Sequence, residues 1–360
     1  MKRVGVLGVG GIGGSLAAHL ARAGLDPLCI EPWREHAGAM RFNGLFLDGV
    51  WGEFRVEVKA FHTSELANLP GPLEVLFVAL KSFDTQRGLR LVRPYLASDG
   101  VVVTLQNGMN EEIISPIVGA HRTMGCVTTY NGMLMGPGHV RILASLALAM
   151  TTKPTCFTVG ELDGRMTPRL SEVAGVLSAA LPTQTTTDLL AERWAKLVTN
   201  CMVNPVCALT GLNSLDMRLH PGARRVSILL GAETVRVALA VGHRPPSLVG
   251  DLAPEDLLVA AEKGETPKVM EAFLRGTETR PPEHLIGQPS MLQDVLKGRP
   301  TEIDYINGYV ARQGREAGVP TPVNEAAVAL VTAVEARRLR PGVENLERLR
   351  IGISSGGTAF

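Results

Sequence analysis

Lys196, Asn200 and Asn204 recur at i, i+4 and i+8 within AERWAKLVTNCMVNPVC (191–207). That spacing stacks an ammonium and two amides on one face of a helix that is otherwise apolar nearly all round. Surface helices carry the reverse, an apolar stripe on a polar background. A lysine half-buried among apolar neighbours loses solvation, which lowers its pKa toward a range useful for donating a proton. Two amides add donors and acceptors without adding charge. The bland account is a lysine reaching solvent past its neighbours and an Asn ending the helix before Pro205. It leaves Asn200 unexplained, whereas a cleft wetting one face accounts for all three.

A second group of residues is built for phosphate. Gly8-Val9-Gly10-Gly11-Ile12-Gly13 matches GxGxxG directly after a strand and opens a helix, the context that gives the pattern meaning. Gly8 allows the tight turn, Gly10 lets backbone approach a pyrophosphate, and Gly13 permits close helix–strand packing. The helix N-terminus supplies N–H donors and the positive end of its dipole. Glu31, at the end of the second strand, can accept hydrogen bonds from both ribose hydroxyls and would repel a 2′-phosphate, which favours NADH. Arg34 could stack on adenine or meet a 2′-phosphate. Lys81 follows one wholly apolar strand and Asn107 another, where ligands bind in such sheets. Asn107-Gly108 also reads as an ordinary turn.

Ser290 and the acidic pair Glu302 and Asp304 flank a helix–loop–helix in QPSMLQDVLKGRPTEIDYINGYVARQGREAGVPTPVN (288–324). Taken alone, the acids read as a solvated helix start, favourably placed at the N-terminal dipole.

These groups need elements to hold them. RVGVL (3–7), PLCIE (27–31), LEVLFVAL (73–80) and VVVTLQ (101–106) read as strands, with helices over Ser15 to Ala23 and roughly Thr85 to Leu96. Continuous apolar strands alternating with helices argue for a doubly wound, parallel α/β sheet. MGCVTTYNGML and HVRILASLALAMTT read as antiparallel strands closing that sheet, and a helix follows over 167–180. From about 188, helical periodicity takes over to roughly residue 338. The expected organisation is a Rossmann-type dinucleotide-binding domain over 1–187 and an all-α substrate and catalytic domain over 188–360. Pro- and Gly-rich stretches bracket inserted helices around 244–285, and the tail SSGGTAF reads as frayed.

Composition narrows the class. With 360 residues, 45% hydrophobic and 20% charged, the chain suits about two ordinary globular domains. A formal net charge of +1 argues against nucleic acid or an anionic membrane as partner. The basic start and apolar run of the N-terminus resemble a signal peptide, but its glycines are better explained by the dinucleotide motif. No stretch is long enough to span a bilayer, so the expected location is cytoplasmic. The five cysteines lack CxxC spacing and read as buried thiols, and no zinc-like cluster is evident, so no metal is expected.

On GVGGIG, LKSFDT (80–85), LQNGMN (105–110), RWAKLVTNCMVNPVCALTG (193–211) and PSMLQD…TEIDYING (289–308), in that order, the sequence resembles the ketopantoate reductase (2-dehydropantoate 2-reductase) family. The resemblance implies an N-terminal dinucleotide domain facing a helical one, with NADPH as cofactor. It implies that Lys196 is the catalytic general acid and that Glu302 is an active-site carboxylate near the lysine and the nicotinamide. Asn200, Asn204 and Ser290 match substrate-binding groups, and Lys81 and Asn107 match contacts to cofactor and substrate. Asn213 matches a further substrate-side Asn with its spacing one residue off. Two departures stand out: members using NADPH usually carry a basic residue where this chain has Glu31, and the stretch between Asn213 and Ser290 is longer than in shorter members. The reaction implied is NAD(P)H-dependent reduction of 2-dehydropantoate to pantoate. The alternatives are a reductase of a different, bulkier 2-oxo or 2-hydroxy acid, and a catalytically silent dinucleotide sensor. A homodimer through the exposed face of the helical half is the assembly considered.

Overall fold

Strand β1 (Val4–Leu7) is buried at every position, the pattern of a strand covered on both faces. The computed structural model describes residues 2–144, 155–248, 251–278 and 280–354. In it β1 pairs in parallel with β2 (Leu28–Glu31) on one side and β6 (Leu73–Val78) on the other. Outside β2 runs β5 (Lys59–His62). Outside β6 run β7 (Leu96–Thr104), β8 (Thr123–Thr128), β11 (Phe157–Glu161) and β12 (Thr183–Thr185), completing an eight-stranded sheet. Every pairing is parallel except that of β8 with β11. The chain reverses its direction of travel across the sheet between β1 and β6. Ligands of such sheets bind at that switch point, beyond the carboxyl ends of the strands. The helices of this part are α1 (Gly11–Arg22), α2 (Arg34–Asn43), α3 (Thr85–Val92), α4 (Glu111–Val118) and α5 (Pro168–Ala180).

Two expectations about this half are corrected. The helix expected to run to Leu96 stops at Val92, because Pro94 follows in a 3-10 turn and β7 begins at Leu96. The segments expected to close the main sheet as antiparallel strands divide instead. Strand β8 lies parallel to β7, while β9 (Asn131–Gly136) and β10 (His139–Leu143) join β3 (Leu45–Gly49) and β4 (Phe54–Val56) in a separate four-stranded sheet. Residues 145–152 of that expectation lie outside the described residues. The second sheet covers α1. His19 of that helix meets Trp51 and Phe54 edge-on at 5.7 and 5.3 Å, and Arg22 lies over the Phe54 ring. Strands β3 and β4 are too short and too interrupted by Gly49 and Gly52 for periodicity to announce them.

Among the described residues the chain forms two compact units, the first ending at Leu189 and the second running from Leu190 onward. The second is built on α6 (Leu189–Thr210), followed by α7 (Ser214–Leu219), α8 (Pro221–Ala240), α9 (Pro254–Lys263) and α10 (Pro267–Leu274). After these come α11 (Ser290–Leu296), α12 (Asn307–Ala317), α13 (Pro322–Glu335) and α14 (Asn345–Ser354). The tail expected to fray lies outside the described residues from 355 on. One face of α6 packs Ala195, Val198 and Met202 against Ile228 and Ala232 of α8, Leu257 of α9, and Val269 and Phe273 of α10. Another places Trp194 beside His243 and Tyr309. The helices of the 244–285 segment are pinned by arginines at their carboxyl ends, where the dipole favours cations. Arg225 donates to the Ala260 and Ala261 carbonyls at 2.8 Å each, and Arg218 donates to Phe273 at 2.7 Å.

Asn204 does not end α6, as the bland reading supposed; the helix continues through Pro205 to Thr210. Proline has no N–H, so the Cys201 carbonyl loses its partner one turn on. Asn307, wholly buried at the start of α12, supplies one: its Nδ2 donates to Cys201 O at 3.5 Å and to Asn324 Oδ1 at 2.9 Å. Asn324 Nδ2 in turn donates to Glu233 Oε2 at 2.8 Å. The Glu233 carboxylate accepts the Val323 and Asn324 N–H groups at 2.9 Å each, capping α13 from α8. Burial pushes the pKa of Glu233 up, against these hydrogen bonds. The variant Glu233→Ala strands two buried backbone donors and leaves Asn324 Nδ2 with the Leu230 carbonyl at 3.3 Å. A loss of about 1–3 kcal/mol in unfolding free energy is expected in urea titration, one unmet group sufficing for that range.

Candidate functional site

Each unit carries its own cluster of candidate side chains. In the first, Gly8 takes φ +86°, which an L side chain resists, and a Cβ on Gly13 would sit 2.0 Å from Gly8 O. A Cβ on Gly10 would meet nothing within 4 Å, so the turn opens onto free space at that glycine. Gly11 and Ile12 start α1, whose first turn has no acidic residue and no side-chain cap. Open backbone at Gly10 and uncapped amides at a helix N-terminus fit the pyrophosphate of a dinucleotide.

Val9, the buried residue between the first two glycines, is held at both of its backbone groups. Its N–H donates to Glu31 Oε2 at 2.7 Å, and its carbonyl accepts from His36 Nε2 at 2.8 Å. His36 Nδ1 accepts the Gly138 N–H at 2.8 Å, so this imidazole is neutral with its proton on Nε2. Glu31 is buried at the end of β2, and its Oε1 accepts the Trp33 N–H at 2.9 Å. The carboxylate read as a ribose acceptor thus also braces the turn, and each oxygen keeps a further lone pair for a ligand. His36 carries no sequence signal, because its role depends on a contact across 102 residues.

Lys81 follows β6 and Asn107 follows β7, both half-buried, with Gly108 at φ +79° completing the Asn-Gly turn. Sequence reading passed over Gln106 and Asn110, two buried amides in the same stretch as Asn107.

In the second unit, α6 runs unbroken past all three polar positions, so Lys196, Asn200 and Asn204 share one face. Asn200 and Asn204 are each 5% exposed and Lys196 is half-buried. Among the described residues the Lys196 ammonium has no hydrogen-bond or ion-pair partner, and burial alone pulls its pKa from 10.5 to about 8. The expectation that Glu302 opposes this shift and holds the ammonium is corrected, since no ion pair joins them among the described residues. Glu302 is buried and its carbonyl accepts the Tyr305 and Ile306 N–H groups at 3.0 and 3.1 Å, whereas Asp304 is exposed. The two acids therefore have different surroundings. Ser290 opens α11, half-buried. The Ser214 hydroxyl donates to Gly287 O at 2.7 Å, tying the segment before Ser290 to α7. Asn213 caps α7 instead of offering its amide to a ligand: its Oδ1 accepts from Leu215 N and Asp216 N, and its Nδ2 donates to Asp216. Among the described residues no group of three or more His, Cys, Asp or Glu is placed to hold a metal, and no helix is long and apolar enough to cross a membrane. All five cysteines are buried free thiols.

Residues 4–152 match the family described as ketopantoate reductase PanE/ApbA, and residues 188–335 match its C-terminal domain. A 2-dehydropantoate 2-reductase of Archaeoglobus fulgidus is 28% identical over 338 residues, 93% of this chain and 99% of that one. A solved PanE/ApbA family ketopantoate reductase from Ralstonia eutropha JMP134 has a TM-score of 0.73 and 26% identity, covering 93% of this chain and 99% of that one. A D-mandelate dehydrogenase solved with NADH and anilino(oxo)acetate shares the fold, with TM-score 0.75 and 22% identity over the same shares of the two chains.

Removing the half-buried ammonium should stabilise the protein. The Lys196→Met variant is expected to gain about 1–3 kcal/mol at pH 7. The lysine's folded pKa lies below its unfolded one, so between pH 8 and 10.5 the unfolded chain binds more protons and the parent's stability rises with pH. The advantage of Met should therefore shrink from pH 7 to pH 10 in thermal melts. An equal advantage at both would remove burial of the charge as the cause.

Proposed function

The chain belongs to the ketopantoate reductase family and is an NAD(P)-dependent oxidoreductase acting on a CH–OH group; from that premise we propose that it reduces 2-dehydropantoate to pantoate with Lys196 as general acid. The observation that carries this reading is the Lys196 ammonium, half-buried and with no ion-pair partner among the described residues, on a face shared with two buried amides. A pKa of about 8 keeps it protonated near neutral pH yet makes it a better donor than an ordinary lysine.

The turn Gly8–Gly13 would hold the pyrophosphate of the nicotinamide dinucleotide, with Glu31 at the adenosine ribose and Lys81 and Asn107 toward the nicotinamide. A dinucleotide held there would supply the hydride for the ketone carbon. Charge then grows on the carbonyl oxygen, and a cation waiting there stabilises it mainly in the transition state. Lys196 Nζ passes a proton to that oxygen, giving the 2-hydroxy acid, and regains one from solvent. Asn200, Asn204 and Ser290 bind the hydroxyl and carboxylate groups of the substrate. By the family resemblance, buried Glu302 would be the second charged residue beside the reacting groups. Buried Glu31 supports NADH as the preferred donor.

A second reading, a bulkier 2-oxo acid, draws on the helices α9 and α10, which pack behind α6 in the segment 244–285. The solved D-mandelate dehydrogenase carries an aryl-bearing 2-oxo acid, anilino(oxo)acetate.

Nicotinamide absorbance with 2-dehydropantoate and with phenylglyoxylate, each with NADH and NADPH, tests these choices together. The highest kcat/KM is expected for 2-dehydropantoate with NADH. A preference for the aryl acid would install the second reading, and a preference for NADPH would overturn the role of Glu31. The reduction rate should fall as pH rises through about 8, where Lys196 loses its proton. Lys196→Ala should lose that limb and about 10²–10⁴-fold in kcat; near-parental turnover would remove Lys196 as the acid.

A further inference from the structure

Asn110 precedes α4 at its N-cap position, where an asparagine normally accepts a hydrogen bond from the helix's first amides. Here it makes no such bond. Its Nδ2 donates to the Asn107 carbonyl at 2.7 Å and to Ser82 Oγ at 3.0 Å, and its Oδ1 accepts from Thr85 Oγ1 at 3.3 Å. On the other side of Asn107, Gln106 Nε2 donates to the Leu80 carbonyl at 2.7 Å and to Thr85 Oγ1 at 2.6 Å. Gln106 Oε1 accepts from Thr104 Oγ1 at 3.1 Å. Ser82, Thr85, Thr104, Gln106 and Asn110 are all at most 5% exposed.

The pattern has a definite logic. Lys81 lies between Leu80 and Ser82, and each of these is bonded to an amide from the loop after β7. Asn107 lies close to both amides in sequence, and its own carbonyl is held by one of them. Two loops that leave adjacent parallel strands are thereby made into one body, which carries the two half-buried residues Lys81 and Asn107. The pyrophosphate turn follows β1 and the adenosine acid ends β2, so these loops, on the opposite side of β1, fall to the nicotinamide half.

We propose that Gln106 and Asn110 are positioning residues that hold Lys81 and Asn107 at a fixed spacing, pre-organising the loops for the nicotinamide half of the cofactor and the substrate beside it. This rests on the dinucleotide reading of the site. Removing a donor leaves half-buried carbonyls facing an acceptor or a void and lets the loops separate, and a shift of about 1 Å can cost about 10²-fold in rate.

Asn110→Asp, of nearly the same shape but lacking the Nδ2 donor, and Gln106→Ala are compared with the parent by calorimetric titration of ADP-ribose and of NADH. ADP-ribose reaches the pyrophosphate turn without engaging the nicotinamide loops, and its binding also reports that a variant is folded. Both variants should bind ADP-ribose within about twofold of the parent, bind NADH about tenfold more weakly and lose about 10²-fold in kcat/KM. The double variant should lose little more than either single one, because both act on one clamp. Equal weakening of ADP-ribose and NADH, or parental NADH affinity in both variants, would overturn the proposal. If the parent binds NADH but reduces no 2-oxo acid, the substrate reading fails while the two titrations still decide the clamp.

Discussion

An ammonium partly withdrawn from water without an ion pair is a cost that a fold must offset elsewhere. Among the described residues Lys196 is such a group, and much of the helical unit can be understood as holding it. The helix that carries it is packed on one side by α8, α9 and α10 and braced on another by Trp194 against His243 and Tyr309. Its hydrogen-bond ladder is opened by Pro205 and closed again from outside by Asn307, which follows the Glu302 segment by only a few residues. Behind Asn307 stand Asn324 and the buried carboxylate of Glu233. A chain of side chains therefore joins the backbone of α6 at Cys201 to the starts of α12 and α13. Packing of this kind limits how far Lys196 can move to find water.

The α/β unit solves a different problem by different means. Its candidate groups lie on loops at the ends of strands, where backbone is free to wander. Side chains from distant parts of the chain restrain them. Val9 is bonded at its N–H by Glu31 and at its carbonyl by His36, and His36 carries the contact on to the second sheet through Gly138. The loops after β6 and β7 are joined by Gln106 and Asn110. Neutral groups dominate these braces, so each loop is fixed without building a field that would compete with the charges of a dinucleotide. Glu31 is the exception, and its two oxygens already receive backbone N–H groups.

Some of this was legible in the residues themselves. The glycine turn, the parallel strands and the stripe on α6 all follow from local rules: positive φ at Gly8, continuous apolar runs, and a period of 3.6. Other features resisted for physical reasons. Pro205 looked like a stop signal because a local rule cannot see that Asn307 will supply the missing partner. Strands β3 and β4 are three to five residues long, and they exist because β10 and the flank of α1 give them something to pair with and cover. Asp304 was grouped with Glu302 by proximity in sequence, yet one is exposed and the other buried. Asn213 matched a substrate residue by type and turned out to cap a helix.

The sequence by itself determined which groups could do chemistry and on which kind of element each would lie, because side-chain spacing and backbone preference are properties of neighbours along the chain. It also carried the family, through five motifs in order. Only the tertiary structure decided how those groups are conditioned. The protonation of Lys196 depends on what surrounds it and on Glu302 making no ion pair with it among the described residues. The rigidity of the glycine turn depends on a histidine 27 residues away, and that of the Lys81 loop on two amides from the loop after the next strand. Desolvation and hydrogen bonding act between atoms close in space, and closeness in space is what a linear chain does not state.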